Sequence, residues 1–333
     1  MKTKFLRITL CLLITTAISL ATACTGKKKP VVEKPVSEMA VLAETDTYVS
    51  FKEAGGDVVQ LPKNPERTIV CLNSILDVWY MAGGTSLARV KGTINIPEEA
   101  ENLPQLGSIS TLNTELMMEL EPDFLICSYS DTQRKVRDFF AGEGVPGVSI
   151  NYATYDDFRV ILDLFTRLTG KRDIYREVVV PLEEQVQGII KQVPGLDASP
   201  RVCILFASTS YVEAETQNTI TGYFCEKLGA ENIYKESTIE QATRVQLSLE
   251  YILEQDPDII FATTMGDVEK CKARVELDVV SSDIWGGLTA VKTGRFIYLD
   301  KAYSIYKPNR FYPEAFKIMA EYIYPDAEFT LEL

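Results

Sequence analysis

The chain has 333 residues, a formal net charge of −13 at pH 7 and no histidine. The missing imidazole excludes catalytic triads, histidine general bases and histidine metal centres. The acidic balance argues against nucleic acid as a partner, and an apolar fraction of 46% is ample for two hydrophobic cores. The sequence also contains no glycine-rich phosphate loop. We therefore expect a protein that is not an enzyme, with no catalytic residue and no resident metal or cofactor.

Residues 1–23 are predicted to be a lipoprotein signal peptide. The segment opens with three basic residues, Lys2, Lys4 and Arg7. Its apolar stretch, 8–20, is too short to cross a bilayer comfortably, and small residues lie directly before Cys24. This resembles a bacterial lipobox, which predicts lipid on Cys24 and an exported protein anchored at the extracytoplasmic face of the cell membrane, in a periplasm or on the cell surface. Plain secretion is the alternative. Residues 24–46 follow as a flexible tether.

A first lobe is predicted over 47–170, where strands and helices alternate. A β-hairpin is predicted over 48–61, because a glycine-rich turn separates two alternating runs. Further strands are predicted at 68–72, 88–93, 124–127 and 145–151, and helices at 75–82, 131–141 and 154–168. Alternation of this kind indicates a mainly parallel sheet with crossover helices.

A long helix is predicted over 172–193, because apolar residues recur at helical spacing. We interpret 171–195 as a rigid connector, although an ordinary surface helix would show the same pattern. A second lobe is predicted over 196–333. Its strands are expected at 201–207, 259–262 and 296–299, and its helices at 219–228 and 312–322.

One segment occurs twice along the chain, as 113–126 and again as 248–261. Each copy has a capped helix with an acid in its first turn, a proline that ends the helix and a buried strand. In the second copy, Pro257 should also bias Asp256 towards extended geometry. A repeat at this distance implies two lobes of similar build.

The cysteines show neither metal-ligand spacing nor the close pairing of a disulfide framework. Three of them, Cys71, Cys127 and Cys203, lie in apolar runs where cysteine behaves as a small hydrophobe. A disulfide between Cys71 and Cys127 on neighbouring strands remains an alternative.

Several short motifs in a fixed order carry a family resemblance. They are Asn64-Pro65-Glu66-Arg67, the Pro-Asp pairs of both repeat copies, 228–232 and 288–295. In this order they resemble the periplasmic binding proteins that serve ABC importers of iron–siderophore complexes, cobalamin and haem. The resemblance implies an α/β fold of two lobes, each with a mainly parallel sheet flanked by helices, joined by one long helix with the ligand between them. It also implies a monomer that works with an ABC permease dimer and its ATPase subunits.

The resemblance further implies that one acid on each lobe, Glu115 and Glu250, docks to arginines of the permease. A carboxylate in the first turn of a helix also stabilises that helix, so simple helix stabilisation is the alternative.

The ligand is expected beyond the carboxyl ends of the strands, as in other open α/β sheets. This rule and the polar loops near those ends select twelve residues: Asn73, Ser74, Tyr129, Tyr152, Thr209, Tyr211, Arg244, Thr264, Tyr303, Tyr306, Lys307 and Arg310. Ser128 and Thr263 lie beside them. Tyrosines suit a large flat ligand, and the cations would neutralise an anionic iron complex. Alternatively, Asn73 and Ser74 are only helix caps and Arg310 pairs with a surface acid.

The leading hypothesis is a lipid-anchored receptor that delivers a ferric-siderophore-type chelate to an importer. The hairpin over 48–61 resembles the siderophore-binding branch, while haem and cobalamin remain open. Bare zinc or manganese is disfavoured, because receptors of this fold for those ions usually use histidine. Two other classes are an enzyme on the same scaffold and a surface protein that binds a macromolecule.

Overall fold

The first sheet of the protein is a small antiparallel one at its N-terminal side. A computed structural model describes residues 39–195, 199–235, 242–282 and 284–331, so the predicted signal peptide and Cys24 lie outside the described residues. The sheet contains β1 (Ala40–Glu44), β2 (Tyr48–Lys52) and β3 (Val58–Pro62) in the order β1-β2-β3. Strands β2 and β3 form the predicted hairpin. Strand β1 lies within the segment that was predicted to be a flexible tether. That end of the tether is instead part of the fold, because Met39 is buried and the residues after it pair with β2.

The first lobe is built on a parallel sheet of three strands. The strands of this lobe are β4 (Thr68–Val70), β5 (Gly107–Ser108), β6 (Thr111–Leu112), β7 (Phe124–Ser128) and β8 (Gly147–Ile150). The sheet order is β4-β7-β8, and β5 and β6 form a separate ribbon. Helices α1 (Asn73–Met81), α2 (Thr114–Glu119) and α3 (Asp131–Gly142) accompany them. The predicted strand at 88–93 is not formed; only an isolated bridge joins Arg89 to Gln105.

Two long helices lead from the first lobe to the second. Helix α4 spans Tyr155–Leu168 and helix α5 spans Arg172–Lys191. Helix α5 packs on α4 at one side and on α11 (Tyr312–Ile323) of the second lobe at the other. It therefore lies where the connector was predicted. Among the described residues, no helix has the length and apolarity needed to cross a membrane.

The second lobe carries a mixed sheet of six strands. They are β9 (Arg201–Ala207), β10 (Val212–Glu215), β11 (Glu231–Asn232), β12 (Arg244–Gln246), β13 (Ile259–Thr264) and β14 (Phe296–Tyr298). The order is β12-β10-β9-β13-β14, and β11 also pairs with β9. Strand β10 pairs antiparallel with both β9 and β12, and the remaining strand pairs are parallel. The helices before α11 are α6 (Ile220–Lys227), α7 (Leu249–Gln255), α8 (Val268–Val275), α9 (Thr289–Lys292) and α10 (Lys301–Ser304). The predicted α/β class with mainly parallel sheets is confirmed.

The repeated segment forms the same structure in both lobes. The side chain of Asn113 accepts a hydrogen bond from the Leu116 amide at 3.1 Å and caps α2. Ser248 caps α7 in the same way, with Oγ 3.2 Å from the Tyr251 amide. The predicted helix starts are therefore confirmed, since each cap satisfies an amide that has no partner within its own helix.

The residues before the two repeat prolines are left-handed, so the prediction of extended geometry at Asp256 is wrong. Glu121 has φ 44° and Asp256 has φ 39°. A left-handed residue at a helix end turns the chain sharply, and the following proline cannot continue the helix. The aspartate after each proline then accepts a hydrogen bond from a backbone amide at or just before the start of a neighbouring strand. Asp123 accepts from the Arg67 amide at 2.9 Å, and Asp258 accepts from the Arg201 amide at 2.7 Å.

One hydrophobic core runs through both lobes. At their junction the ring centroid of Tyr155 lies 4.9 Å from that of Tyr312 and 6.4 Å from that of Phe316. Edge-on aromatic pairs of this kind each contribute about 1 kcal/mol beyond their buried area. Because the lobes share this core as well as α5, we expect only modest closure around a ligand.

The described cysteines are free thiols, including Cys71 directly after β4 and Cys127 on β7. Cys71 and Cys127 are fully buried on the same face of the sheet. The hydrogen bond to Cys127, together with burial, raises the pKa of Cys71. The sequence allowed a disulfide between these two cysteines, and the structure shows two neighbouring free thiols instead.

Candidate functional site

A cavity of about 670 Å³ lies between the two lobes. The first lobe contributes the end of β8, the start of α4 and the hairpin turn, and the second contributes the chain after β10 and helix α6. Its uncharged polar lining consists of Asn151, Thr154, Gln217, Asn218, Tyr223 and Thr243. Its charged lining, among the described residues, consists of Asp156, Asp157, Glu226 and Lys227. The volume lies in the usual range of small-molecule sites.

The start of α4 fixes one wall of this cavity. Thr154 Oγ1 accepts from the Asp157 amide at 3.2 Å, and Asp157 Oδ2 accepts from the Thr154 amide at 2.8 Å. This reciprocal capping box satisfies amides that the helix itself leaves unpaired. It also holds the Asp157 carboxylate at the cavity in one orientation.

The start of α6 fixes the opposite wall. Thr219 Oγ1 accepts from the Gly222 amide at 3.1 Å. A Cβ on Gly222 would lie 2.2 Å from the Thr216 carbonyl oxygen, so only glycine allows the helix to approach the preceding chain. Asn218 Nδ2 donates to the Ala242 carbonyl at 3.0 Å. Gln217 lines the cavity, and its Oε1 is buried without a hydrogen-bond partner among the described residues, so it is an unsatisfied acceptor.

A partly buried charged cluster lies beside the cavity, with Lys307 at its centre. Lys307 Nζ donates to the Ala153 carbonyl at 3.0 Å, and Ala153 lines the cavity. Burial lowers the pKa of Lys307 to about 8, against the opposing attraction of Asp157 and Glu215. Arg244 is the other cation near this ammonium group.

Glu215 is the buried acid of the same cluster. Its Oε1 accepts from the Thr263 hydroxyl at 3.1 Å and lies 3.7 Å from Arg244 Nε. Burial raises the pKa of Glu215, and the positive charge of Arg244 opposes that rise. The Arg244 guanidinium also lies over the Phe206 ring, with Cζ 3.5 Å from the centroid. The position of Arg244 is therefore set by an acid and an aromatic face.

We expect Lys307 to make the stability of the protein rise with pH in the alkaline range. Burial lowers the pKa of Lys307 in the folded protein to about 8, below its ordinary value of 10.5, so between these pH values the unfolded chain binds more protons. Its contribution to the free energy of unfolding therefore increases from pH 8 to pH 10. Urea titrations should show this increase in the wild type and not in Lys307→Met. The exposed Lys91 supplies a control, since Lys91→Met should run parallel to the wild type. Parallel curves for Lys307→Met as well would contradict the assignment.

Asn309 connects the second lobe to the first. It is buried and left-handed, with φ 52°. Its Oδ1 accepts from the Tyr152 hydroxyl at 2.6 Å, and its Nδ2 donates to Asp77 at 2.7 Å and to the Ser74 carbonyl at 3.1 Å. We call Asn309 and these three partners the Asn309 junction. Sequence reasoning missed Asn309 and Asp77; the turn-forming Pro-Asn pair was the only local signal.

Three predicted ligand residues lie at or next to this junction. Tyr152 and Ser74 belong to it, and Lys307 lies with its ammonium group 5.5 Å from the Tyr152 ring centroid. Asn95 Nδ2 adds a further link between the lobes, because it donates to both the Ser74 hydroxyl at 3.1 Å and the Lys307 carbonyl at 3.0 Å. The structure thus uses these side chains to join the lobes.

Neither Asn73 nor Ser74 caps α1 with its side chain. The residue at the N-cap is Leu72, and Asn73 is already helical. The Asn73 side chain is buried, and its Oδ1 has no hydrogen-bond partner among the described residues. The capping alternative for these two residues is wrong.

Tyr129 lies at the rim of the first lobe. Its hydroxyl accepts from Arg134 at 3.4 Å, and the Arg134 guanidinium lies 4.6 Å from its ring centroid. A Cβ on Gly55 would lie 2.0 Å from the hydroxyl, so the hairpin turn closes tightly on this tyrosine. Ser128 lies next to it at the end of β7.

The remaining predicted ligand residues are dispersed over the second lobe. Thr209 is exposed, and Tyr211 is 48% exposed with its ring centroid 6.2 Å from that of Phe206. Thr264 is buried within β13, like its neighbour Thr263. These side chains do not line the interlobe cavity.

The residues of the predicted loop over 303–310 lie in different surroundings. Tyr303 lies in α10 and lines a separate cavity of about 310 Å³ against α11. Tyr306 is 37% exposed. Arg310 is exposed and lies 3.6 Å from the Asp77 carboxylate, as the surface-pairing alternative expected.

The two proposed docking acids occupy equivalent places in the repeat. Glu115 and Glu250 are both exposed in the first turns of α2 and α7. The Ser248 hydroxyl donates to Glu250 at 3.2 Å. Both carboxylates are accessible to a partner.

Comparison with known proteins extends over most of the chain. The profile of a family described as periplasmic binding protein matches residues 69–303. Petrobactin-binding protein YclQ of Bacillus subtilis (strain 168) is 23% identical over 256 residues, covering 73% of this chain and 77% of that protein. A vitamin B12-binding protein of Pectobacterium carotovorum subsp. carotovorum (strain PC1) is 25% identical over 198 residues, covering 59% and 70%. The crystal structure of Staphylococcus aureus SirA complexed with staphyloferrin B has a TM-score of 0.68 at 20% identity, covering 84% of this chain and 99% of that one.

Proposed function

Because the chain belongs to the periplasmic binding protein family, we propose that it captures a ferric-siderophore-type complex between its lobes and delivers it to a permease. The family resemblance predicted from the sequence is confirmed. The protein is the extracytoplasmic substrate-binding component of an ABC importer, a transport protein and not an enzyme. The observation that carries the proposal is the cavity of about 670 Å³ that both lobes line.

The relatives support a chelate as cargo. One is named for petrobactin and one for vitamin B12, and the structural neighbour holds staphyloferrin B. The cavity volume of about 670 Å³ lies within the range of small-molecule binding sites.

Native mass spectrometry of the mature protein tests this function. We expect a one-to-one complex with at least one member of a panel of ferric siderophores, and none with the same siderophores free of iron. Haem and cobalamin belong in the same panel. Binding of haem or cobalamin alone would replace the proposed cargo, and binding of no panel member would contradict the proposal.

We also propose that lipid on Cys24 anchors the protein at the membrane. Small residues before this cysteine and the extracytoplasmic site of the family support the anchor. Cys24→Ser should therefore shift the protein from the membrane fraction to the soluble fraction, because no acyl chain can be attached. Lys29→Gln in the same tether should remain in the membrane fraction. An unchanged distribution of Cys24→Ser would remove the anchor.

A further inference from the structure

The cations expected to neutralise a ligand lie near acids of the protein. Arg244 lies 3.7 Å from Glu215, and Arg310 lies 3.6 Å from Asp77. Lys307 is attracted by Glu215 and by Asp157 at the cavity wall. An anionic ligand would have to compete with these carboxylates for each positive charge.

The cavity itself carries more acids than bases among its described lining residues. Three acids, Asp156, Asp157 and Glu226, face one base, Lys227. The Lys227 ammonium group lies 5.2 Å from the Tyr223 ring centroid, which also attracts it. Beyond the lining, Arg159 lies 3.5 Å from Asp156, but the same guanidinium is 3.7 Å from Glu183. The described surroundings therefore offer no surplus positive charge.

The other polar lining residues are uncharged amides and hydroxyls. Asn151, Gln217 and Asn218 present carboxamide groups, and Thr154 and Thr243 present hydroxyls. Gln217 Oε1 is buried without a hydrogen-bond partner among the described residues. A buried acceptor in this condition is stabilised when a ligand donor reaches it. These groups suit a ligand that is itself rich in amides.

From this lining we infer that the cargo is an uncharged or singly cationic ferric chelate of the hydroxamate class. Three hydroxamate monoanions cancel the charge of ferric iron, whereas three catecholate dianions leave three negative charges. Moving the second kind of complex out of water needs compensating cations, which the cavity lacks among its described residues. The first kind needs hydrogen bonds, which the lining supplies. The inference rests on the proposed function.

Titration calorimetry with three ferric complexes tests the inference. Ferrichrome is uncharged, ferrioxamine B carries one positive charge, and ferric enterobactin carries three negative charges. We expect both hydroxamates to bind at least about tenfold more tightly than ferric enterobactin. The opposite order would overturn the inference and leave the proposed function standing. Binding of haem or cobalamin with none of the three would overturn the proposed function instead.

Variants connect the preference to the cavity. Gln217→Leu should lower the affinity for ferrichrome by about three- to tenfold, because the site loses a hydrogen-bonding group. Thr243 is exposed, so Thr243→Val carries little risk to folding and should lower the affinity in the same direction. Glu143→Gln, an exposed change on the first lobe after α3, is the control and should leave the affinity unchanged. Unchanged affinity in both cavity variants would overturn the inferred site.

Discussion

Reversing both proposed docking acids, Glu115→Arg with Glu250→Arg, is expected to lower uptake of the iron complex at least about tenfold while the ligand affinity stays unchanged. Placing like charges opposite each other across an interface costs several kcal/mol and slows encounter. Both side chains are exposed in the first turns of α2 and α7, outside the interlobe cavity. Uptake of radioactive iron in cells that express the variant measures the first quantity, and calorimetry of the purified protein measures the second.

The repeat provides a matched control for this experiment. Glu119 and Glu254 are exposed acids one turn further along the same two helices. Glu119→Arg with Glu254→Arg changes the net charge equally, so it separates a specific dock from general electrostatics. We expect the control to retain most of the uptake. Equal losses in both double variants, or full uptake in the first, would contradict the docking role.

Asn309→Ala is expected to lower the free energy of unfolding by about 3 kcal/mol. The change removes three hydrogen bonds between the lobes and leaves the Tyr152 hydroxyl and the Asp77 carboxylate without this partner. It also places alanine at φ 52°, where asparagine is tolerated better. Urea denaturation followed by circular dichroism measures the difference.

The control variant Asn64→Ala separates the cost of the left-handed backbone conformation from the loss of the Asn309 hydrogen bonds. Asn64 is exposed and has φ 56°, close to that of Asn309. Asn64→Ala should therefore cost only about 1 kcal/mol, because it carries the conformational penalty alone. Equal losses in the two variants would show that the Asn309 junction adds nothing to stability.

Local sequence patterns predicted much of the fold. The caps at Asn113 and Ser248 were readable because a short polar side chain precedes an apolar helix and bonds an amide three residues on. Buried strands such as β9 and β13 were readable because they are continuous apolar runs between turn residues. These signals depend on neighbours in sequence, so a single chain contains them.

The arrangement between the lobes could not be read in the same way. Tyr152 and Asn309 are 157 positions apart, and Asp77 is 232 positions from Asn309. Their contact depends on how two folded lobes pack, for which no local pattern exists. The same reason applies to Lys307, predicted as a ligand group because it is basic but found beside acids from both lobes. The charge of a side chain could be predicted from the sequence, but the residues that surround it in the folded protein could not.

Paramagnetic broadening by the bound iron complex tests most directly whether both lobes hold the cargo. Amide spectra of the protein with a ferric hydroxamate are compared with those of the diamagnetic gallium complex. We predict loss of signal around Asn151 and Thr154 in one lobe and around Asn218 and Thr243 in the other, because these residues line one cavity. Broadening confined to a single lobe, or located away from this cavity, would contradict the account.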